Sequence, residues 1–230
     1  MAKSEKLIEV YLEAGKNKVF ASAVEWPGWS RSGKDEAAAL QALADYGQRY
    51  ADVAKMAKVA FRAPDGPQDF KVVERLDGDA TTDFGVPGIA PSADERPVDD
   101  KELARLQALL KACYLALDKS ARAAEGKELR KGPRGGGREL DNIVRHVLEA
   151  QGGYLSALGY KVEKSEGESP DERAARSRQA VPDGLAAAAR GETEKVGSRG
   201  GKRWSPRYFA RRAAWHILDH AWEIEDRIVG

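Results

Sequence analysis

Three histidines occur in the chain, and their positions are the first chemical signal: His146, His216 and His220. A separation of four residues is about 1.1 helical turns, so His216 and His220 project from one helix face and their ring nitrogens can converge on one ion. A third donor must come from a facing helix. Leu140, Ile143, Val147 and Ala150 mark an apolar stripe that places His146 in or beside a buried face. In the later segment, Phe209, Ala213, Ile217, Ala221, Ile224 and Ile228 form a stripe with His216 and His220 on it or at its edge. Three imidazoles in an interior are costly with nothing to bind, because neutral rings need partners and three cations repel one another. A divalent metal resolves both problems. Three neutral nitrogen donors with an open fourth position make the coordination of a catalytic zinc site, and imidazole also suits nickel, iron and copper. Glu149, Asp219, Glu223 and Asp226 are near enough in sequence to orient the rings, and spacing does not say which of them do. The alternative is a set of packing or surface histidines that happen to align.

Other residues invite chemistry less strongly. Trp204, Tyr208, Trp215 and Trp222 crowd one region, either as core or as the lining of a pocket beside the metal. Arg207, Arg211 and Arg212, with Arg145, either hold the carboxylates of a small acidic thiol or substrate or form a solvated face. The glycine-rich stretch Lys127 to Arg138 offers backbone amides to an anion or is simply a flexible loop, and it matches no phosphate-loop consensus. Cys113 lies on an apolar stripe, as an inert core residue would. No nucleophile elbow, dinucleotide fingerprint or CxxC site is present.

Two kinds of sequence surround these residues. Leu7–Leu12 and Lys18–Trp26 read as strands joined by a turn, Asp35 to about Ala54 as a helix, and Phe70–Leu76 as a strand able to return to the first two. Residues 1–76 are therefore expected to form a small α+β module. From 77 to 99 the composition turns to Gly, Pro, Asp and Thr, which describes a linker or a connector ordered against a surface. Residues 100–230 carry four helical segments, at about 100–124, 138–158, 171–190 and 205–229. The third is expected to break at Pro182, and Ser205-Pro206 gives the fourth a good start signal. The expected fold class is thus an α+β N-terminal module followed by an all-α four-helix bundle.

Composition sets the remaining bounds. The 230 residues carry 38 basic and 37 acidic side chains, a net charge of +1, which argues against nucleic acid as a partner. With 42% hydrophobic and 33% charged residues the chain suits a globular protein, and no run approaches the ~20 apolar residues of a membrane span. The start, Met1 to Lys6, does not resemble a secretory signal, and the single cysteine can form no internal disulfide; both point to a cytoplasmic setting.

The segment Ser205–Arg227, with its Arg-Arg-x-x-Trp-His-x-x-x-His core, and the earlier Asp141-Asn142-Ile143-Val144-Arg145-His146 together resemble the DinB/YfiT-like superfamily over residues ~100–230. The resemblance implies a four-helix bundle holding a divalent metal, zinc, nickel or iron, on His146, His216 and His220. It also implies a class of activity, since relatives include thiol-dependent S-transferases and a thiol-dependent isomerase. With Cys113 the only thiol in the chain, a thiol nucleophile would be a low-molecular-weight cosubstrate acting on a small electrophilic molecule. Val19–Ala37 is similar to the HicB-like strand-turn-helix pattern, with Trp29 where a cysteine or polar residue is usual. That similarity implies a structural or homodimerising appendage, or a wall of the pocket, and no ribbon-helix-helix or helix-turn-helix segment is evident. The competing expectation is a non-enzymatic stress-response or interaction protein with a structural metal site.

Overall fold

A computed structural model describes residues 7–131, 137–162, 167–197 and 200–229. Met1–Lys6, and residues 132–136 of the glycine-rich loop, lie outside the described residues. The layout is α+β, a four-stranded sheet followed by helices. Strands β1 (Ile8–Ala14) and β2 (Val19–Ala23) form the expected hairpin, pairing Val10 with Ala23 and Ala14 with Val19. β4 (Phe70–Asp77) lies parallel on the free edge of β1, with a register shift between Val10 and Tyr11. A third strand, β3 (Ser30–Gly33), pairs antiparallel with β2 and gives the order β3-β2-β1-β4. Its sequence, Ser-Arg-Ser-Gly, has no apolar alternation, so pairing and not propensity makes it a strand.

The helix expected over 35–54 is two helices, α1 (Glu36–Asp45), capped by Asp35, and α2 (Gly47–Met56). They divide at Tyr46, and Pro64 packs so close to Gly47 that a Cβ there would sit 2.6 Å from its ring. Trp29 fills the space between sheet and helices. It stacks on Tyr50 at 5.5 Å, meets Phe61 and Phe70 edge-on, and donates from Nε1 to Leu43 O at 3.0 Å.

The segment after β4 contains a short helix, α3 (Ala80–Phe84), and a 3-10 turn at Ser92–Glu95. Two buried carboxylates hold it. Glu13, fully buried in β1, accepts from Thr82 Oγ1 at 2.6 Å and from the amides of Gly88 and Ile89 at 3.0 Å. Asp94 receives Arg211 from the last helix through two bonds, 2.8 and 2.7 Å, while the same guanidinium donates to Ala23 O and Val24 O at 2.8 Å.

Four long helices follow: α4 (Asp100–Ala124), α5 (Leu140–Leu158), α6 (Pro170–Ala189) and α7 (Pro206–Arg227). Their bounds lie within two or three residues of those expected. The expected break at Pro182 does not occur, because Val181 and Leu185 on either side are fully buried and packing holds the helix together through the proline. α4 packs along α7 and also touches α2 and α6; α5 packs on α6 and α7. One continuous apolar cluster joins Val10, Leu12 and Trp29 of the sheet region to Leu110, Leu117, Ile143, Phe209 and Ile217. No described helix is long and apolar enough to cross a membrane.

The Asp94–Arg211 pair is almost fully removed from solvent, at 1% and 6% exposure. Removing one partner of such a pair leaves an uncompensated buried charge. Asp94→Ala is expected to lower unfolding stability by about 3–5 kcal/mol in urea titration, and a loss below about 1 kcal/mol would show that the pair does not fasten this segment.

Candidate metal centre

α7 supplies two of the three histidines. Its small residues Ala210, Ala213, Ala214 and Ala221 let neighbours approach on several sides, so every residue from Tyr208 to Leu218 is buried and His216 retains only 7% exposure. His220, one turn on, is half-buried near the helix's emerging end. α5 turns Ile143 and Val147 into the core, and His146 between them lies at the rim of that face, also half-buried.

The three rings converge. His146 Nε2 and His216 Nε2 stand 3.2 Å apart, and ring centroids are separated by 5.0 Å (His146–His216), 5.1 Å (His146–His220) and 4.7 Å (His216–His220). One nitrogen from each ring can be chosen so that all three lie within 4.8 Å of one another. Two nitrogens bonded to one tetrahedral zinc at ~2.0–2.1 Å would stand about 3.3 Å apart, close to the His146–His216 spacing.

Protonation favours donors over cations. Burial, reinforced by the charges His220 and His146 would carry, drives the His216 pKa down to about 2, so its ring is neutral at ordinary pH. Burial and Arg138 lower that of His146 as well. Of the four carboxylates suggested by spacing, Glu223 is the one that reaches a ring: its Oε2 lies 2.7 Å from His220 Nδ1, while Oε1 accepts from buried Arg227 at 2.8 Å. The hydrogen bond from His220, with the Arg227 charge, holds Glu223 below the usual carboxylate range. Nδ1 thus engaged, His220 keeps Nε2 free for another partner. Asp219 pairs instead with Arg31 of β3 at 3.1 Å, Asp226 takes the Tyr46 hydroxyl at 3.0 Å together with Arg49, and Glu149 is exposed beside Arg145. His216 Nδ1 is buried with no hydrogen-bond partner, so the ring gains none of its satisfaction on that side.

The remaining candidates divide clearly. Trp215, Trp222 and Tyr208 are buried, with Trp222 edge-on to Tyr46 at 5.1 Å. Arg211 and Arg212 are buried and belong to no solvated face; Arg207 bonds Glu102 at 2.7 Å, and Arg145 is exposed. Cys113 is fully buried, and burial pushes its thiol far up, as expected of an inert core residue. One neighbour escaped the sequence reading. Tyr154, eight residues after His146 and so on the same face of α5, sets its ring edge-on to His216 at 5.6 Å and accepts from Arg212 Nη2 at 3.3 Å. A cavity of about 610 Å³ lies elsewhere, between α5 and α6 beside Leu148, Leu155 and Ser177.

No protein-family model, curated protein or solved structure matches the chain.

An imidazole whose pKa is depressed in the folded state takes up a proton on unfolding at any pH between its two pKa values, so stability falls as pH drops below about 6.5. The metal-free protein should therefore lose stability from about pH 7 to about pH 5, with His216 contributing a slope approaching 1.4 kcal/mol per unit. In urea titrations with chelator present, His216→Gln should flatten the curve by that share. Parallel curves for the two proteins would contradict the neutral state of His216.

Proposed function

We propose that the chain is a DinB-like protein in which residues 100–230 form a four-helix bundle of α4 to α7 holding a divalent ion, zinc, nickel or iron, on His146, His216 and His220. Residues 1–76 are a HicB-like module and 77–99 the connector. The activity that suits this reading is transfer or isomerisation of a small electrophilic molecule, with a low-molecular-weight thiol or water as nucleophile, in the cytoplasm. The observation that carries it is the convergence of the three histidines from two separate helices onto one point.

A bound divalent ion supplies Lewis acidity, which favours the anionic form of a thiol or water at neutral pH. The chain's own residues prepare for that role. Neutral His216 offers a lone pair at any ordinary pH. Glu223, anchored by Arg227, fixes the ring of His220 through Nδ1. Tyr154 and Trp215 flank buried His216, whereas His146 and His220 are half-buried. Buried Cys113 cannot serve as the nucleophile, which supports a thiol brought from outside.

A second reading, a structural ion in a stress-response or interaction protein, is favoured by one feature. Glu139, the N-cap of α5, makes no side-chain capping bond, and an ion on His146 would tie the first half of the helix to α7. Cobalt replacement separates the two readings, since a thiol perturbs the spectrum of an open site and not of a closed one.

Elemental analysis of untagged protein should find about one divalent ion per chain. His216→Ala/His220→Ala should reduce this to background, and equal content in both proteins would refute the site. Glu223→Gln should keep the ligands but weaken metal affinity about 10–100-fold in competition with a chromophoric chelator. Unchanged affinity would show that Glu223 does not orient His220.

A further inference from the structure

Three arginines of α7 are buried, and two have carboxylate partners: Arg211 has Asp94 and Arg227 has Glu223. Arg212 has none. It is 9% exposed, forms no ion pair among the described residues, and makes a single hydrogen bond, from Nη2 to the Tyr154 hydroxyl. Its Nη1 is buried without a partner. The guanidinium carbon lies 4.8 Å from the Trp215 ring centre and 5.2 Å from that of Tyr154. Ring faces attract a cation, but they offset only part of the cost of removing a guanidinium from water, and buried arginines are ordinarily met by an anion.

The anion has a place to sit. Arg212 lines a cavity of about 420 Å³ together with Trp204, Tyr208, Lys202, Gly88 and Thr81, a volume in the range of small-molecule sites. The wall carboxylates cannot serve Arg212, because both are engaged. Asp79 caps α3 by accepting from Thr81 N at 2.7 Å, and Glu95 pairs with Lys202 at 2.9 Å. Tyr208 is likewise held, its hydroxyl donating to Gly88 O. The Arg212 guanidinium is the buried group at this cavity that lacks a counter-charge.

We propose that this cavity binds a small organic acid, whose carboxylate pairs with Arg212 while its apolar part rests against Trp204 and Tyr208. A planar carboxylate matches the arginine fork, and phosphate has no apolar part to rest against the two rings; the other cations of the wall, Lys202 and Arg203, are already paired with Glu95 and Glu194. Arg212 precedes His216 by four residues on the same helix face, and Tyr154 touches both, so the acid would be held about one turn from the histidines. The assignment stands on the unpaired guanidinium and not on an ion at the histidines.

The test is titration of the full-length protein, metal-loaded and metal-stripped, with acetate, succinate and inorganic phosphate at constant ionic strength, read by calorimetry and by the fluorescence of the adjacent tryptophans. Succinate should bind saturably in both metal states and more tightly than phosphate. Arg212→Gln should weaken binding about tenfold or more, while Arg145→Gln at an exposed position of α5 should not. Should the Arg212 variant not fold, arginine side-chain NMR of the unaltered protein decides: one Nε–H resonance should move with succinate at the same midpoint as the fluorescence. Four results would overturn the proposal: no saturable response up to about 10 mM, where a weak contact still registers; a preference for phosphate; full binding by folded Arg212→Gln; or binding confined to the metal-loaded form, which would place the acid on the ion.

Discussion

The structure depends on burying one helix that carries charges. From Tyr208 to Leu218 no residue of α7 is exposed, with the sheet, the connector and α4, α5 and α6 packed around it. A helix buried on all sides is usually apolar all round. This one carries Arg211, Arg212, His216 and, further on, Arg227 inside, and each must find a partner or bear the cost of lacking one. Arg211 is met by a carboxylate from the connector and by the carbonyls of Ala23, the last residue of β2, and Val24. Arg227 is met by Glu223, which carries its influence to His220. His216 is met by two other imidazoles, and Arg212 by two aromatic faces and a hydroxyl. The candidate metal centre and the proposed acid pocket are the two places where protein partners alone do not complete this accounting.

The N-terminal sheet belongs to the same accounting. Gly28, at φ +92°, brings the turn after β2 so near α7 that a Cβ there would lie 2.9 Å from Leu218 and 3.0 Å from Ala214. Arg31 of β3 reaches Asp219 while its guanidinium sits 3.9 Å from the centre of the Tyr46 ring. Tyr46 and Arg49 hold Asp226. Two of the carboxylates that spacing offered as ring partners thus face away from the histidines and grip the sheet region, which helps to fix the rotation of α7 and therefore the direction in which His216 and His220 point.

Much of this is legible in the residues because it is local. The histidine spacing, the apolar stripes and the Ser205-Pro206 start signal place the four long helices and put the three rings on inward faces. What escapes has a physical reason in each case. The strand Ser30–Gly33 has no pattern of its own and exists by pairing with β2. The bond from Arg211 to Asp94 spans 117 positions, and no periodicity reports it. An apolar stripe suggests a helix with one solvated side, whereas the alanines of α7 let it be enclosed. That difference turns Arg211 and Arg212 from surface charges into interior ones. Tyr154 could have been found from the face it shares with His146, had that face been followed two turns further along α5.

The most direct test of the three-histidine centre is anomalous diffraction at the metal's absorption edge from crystals of the purified protein. The account predicts one peak within about 2.0–2.2 Å of a ring nitrogen from each of His146, His216 and His220. A peak at any other residues, or histidines that remain 3.2 Å apart with no peak between them in metal-soaked crystals, would contradict it.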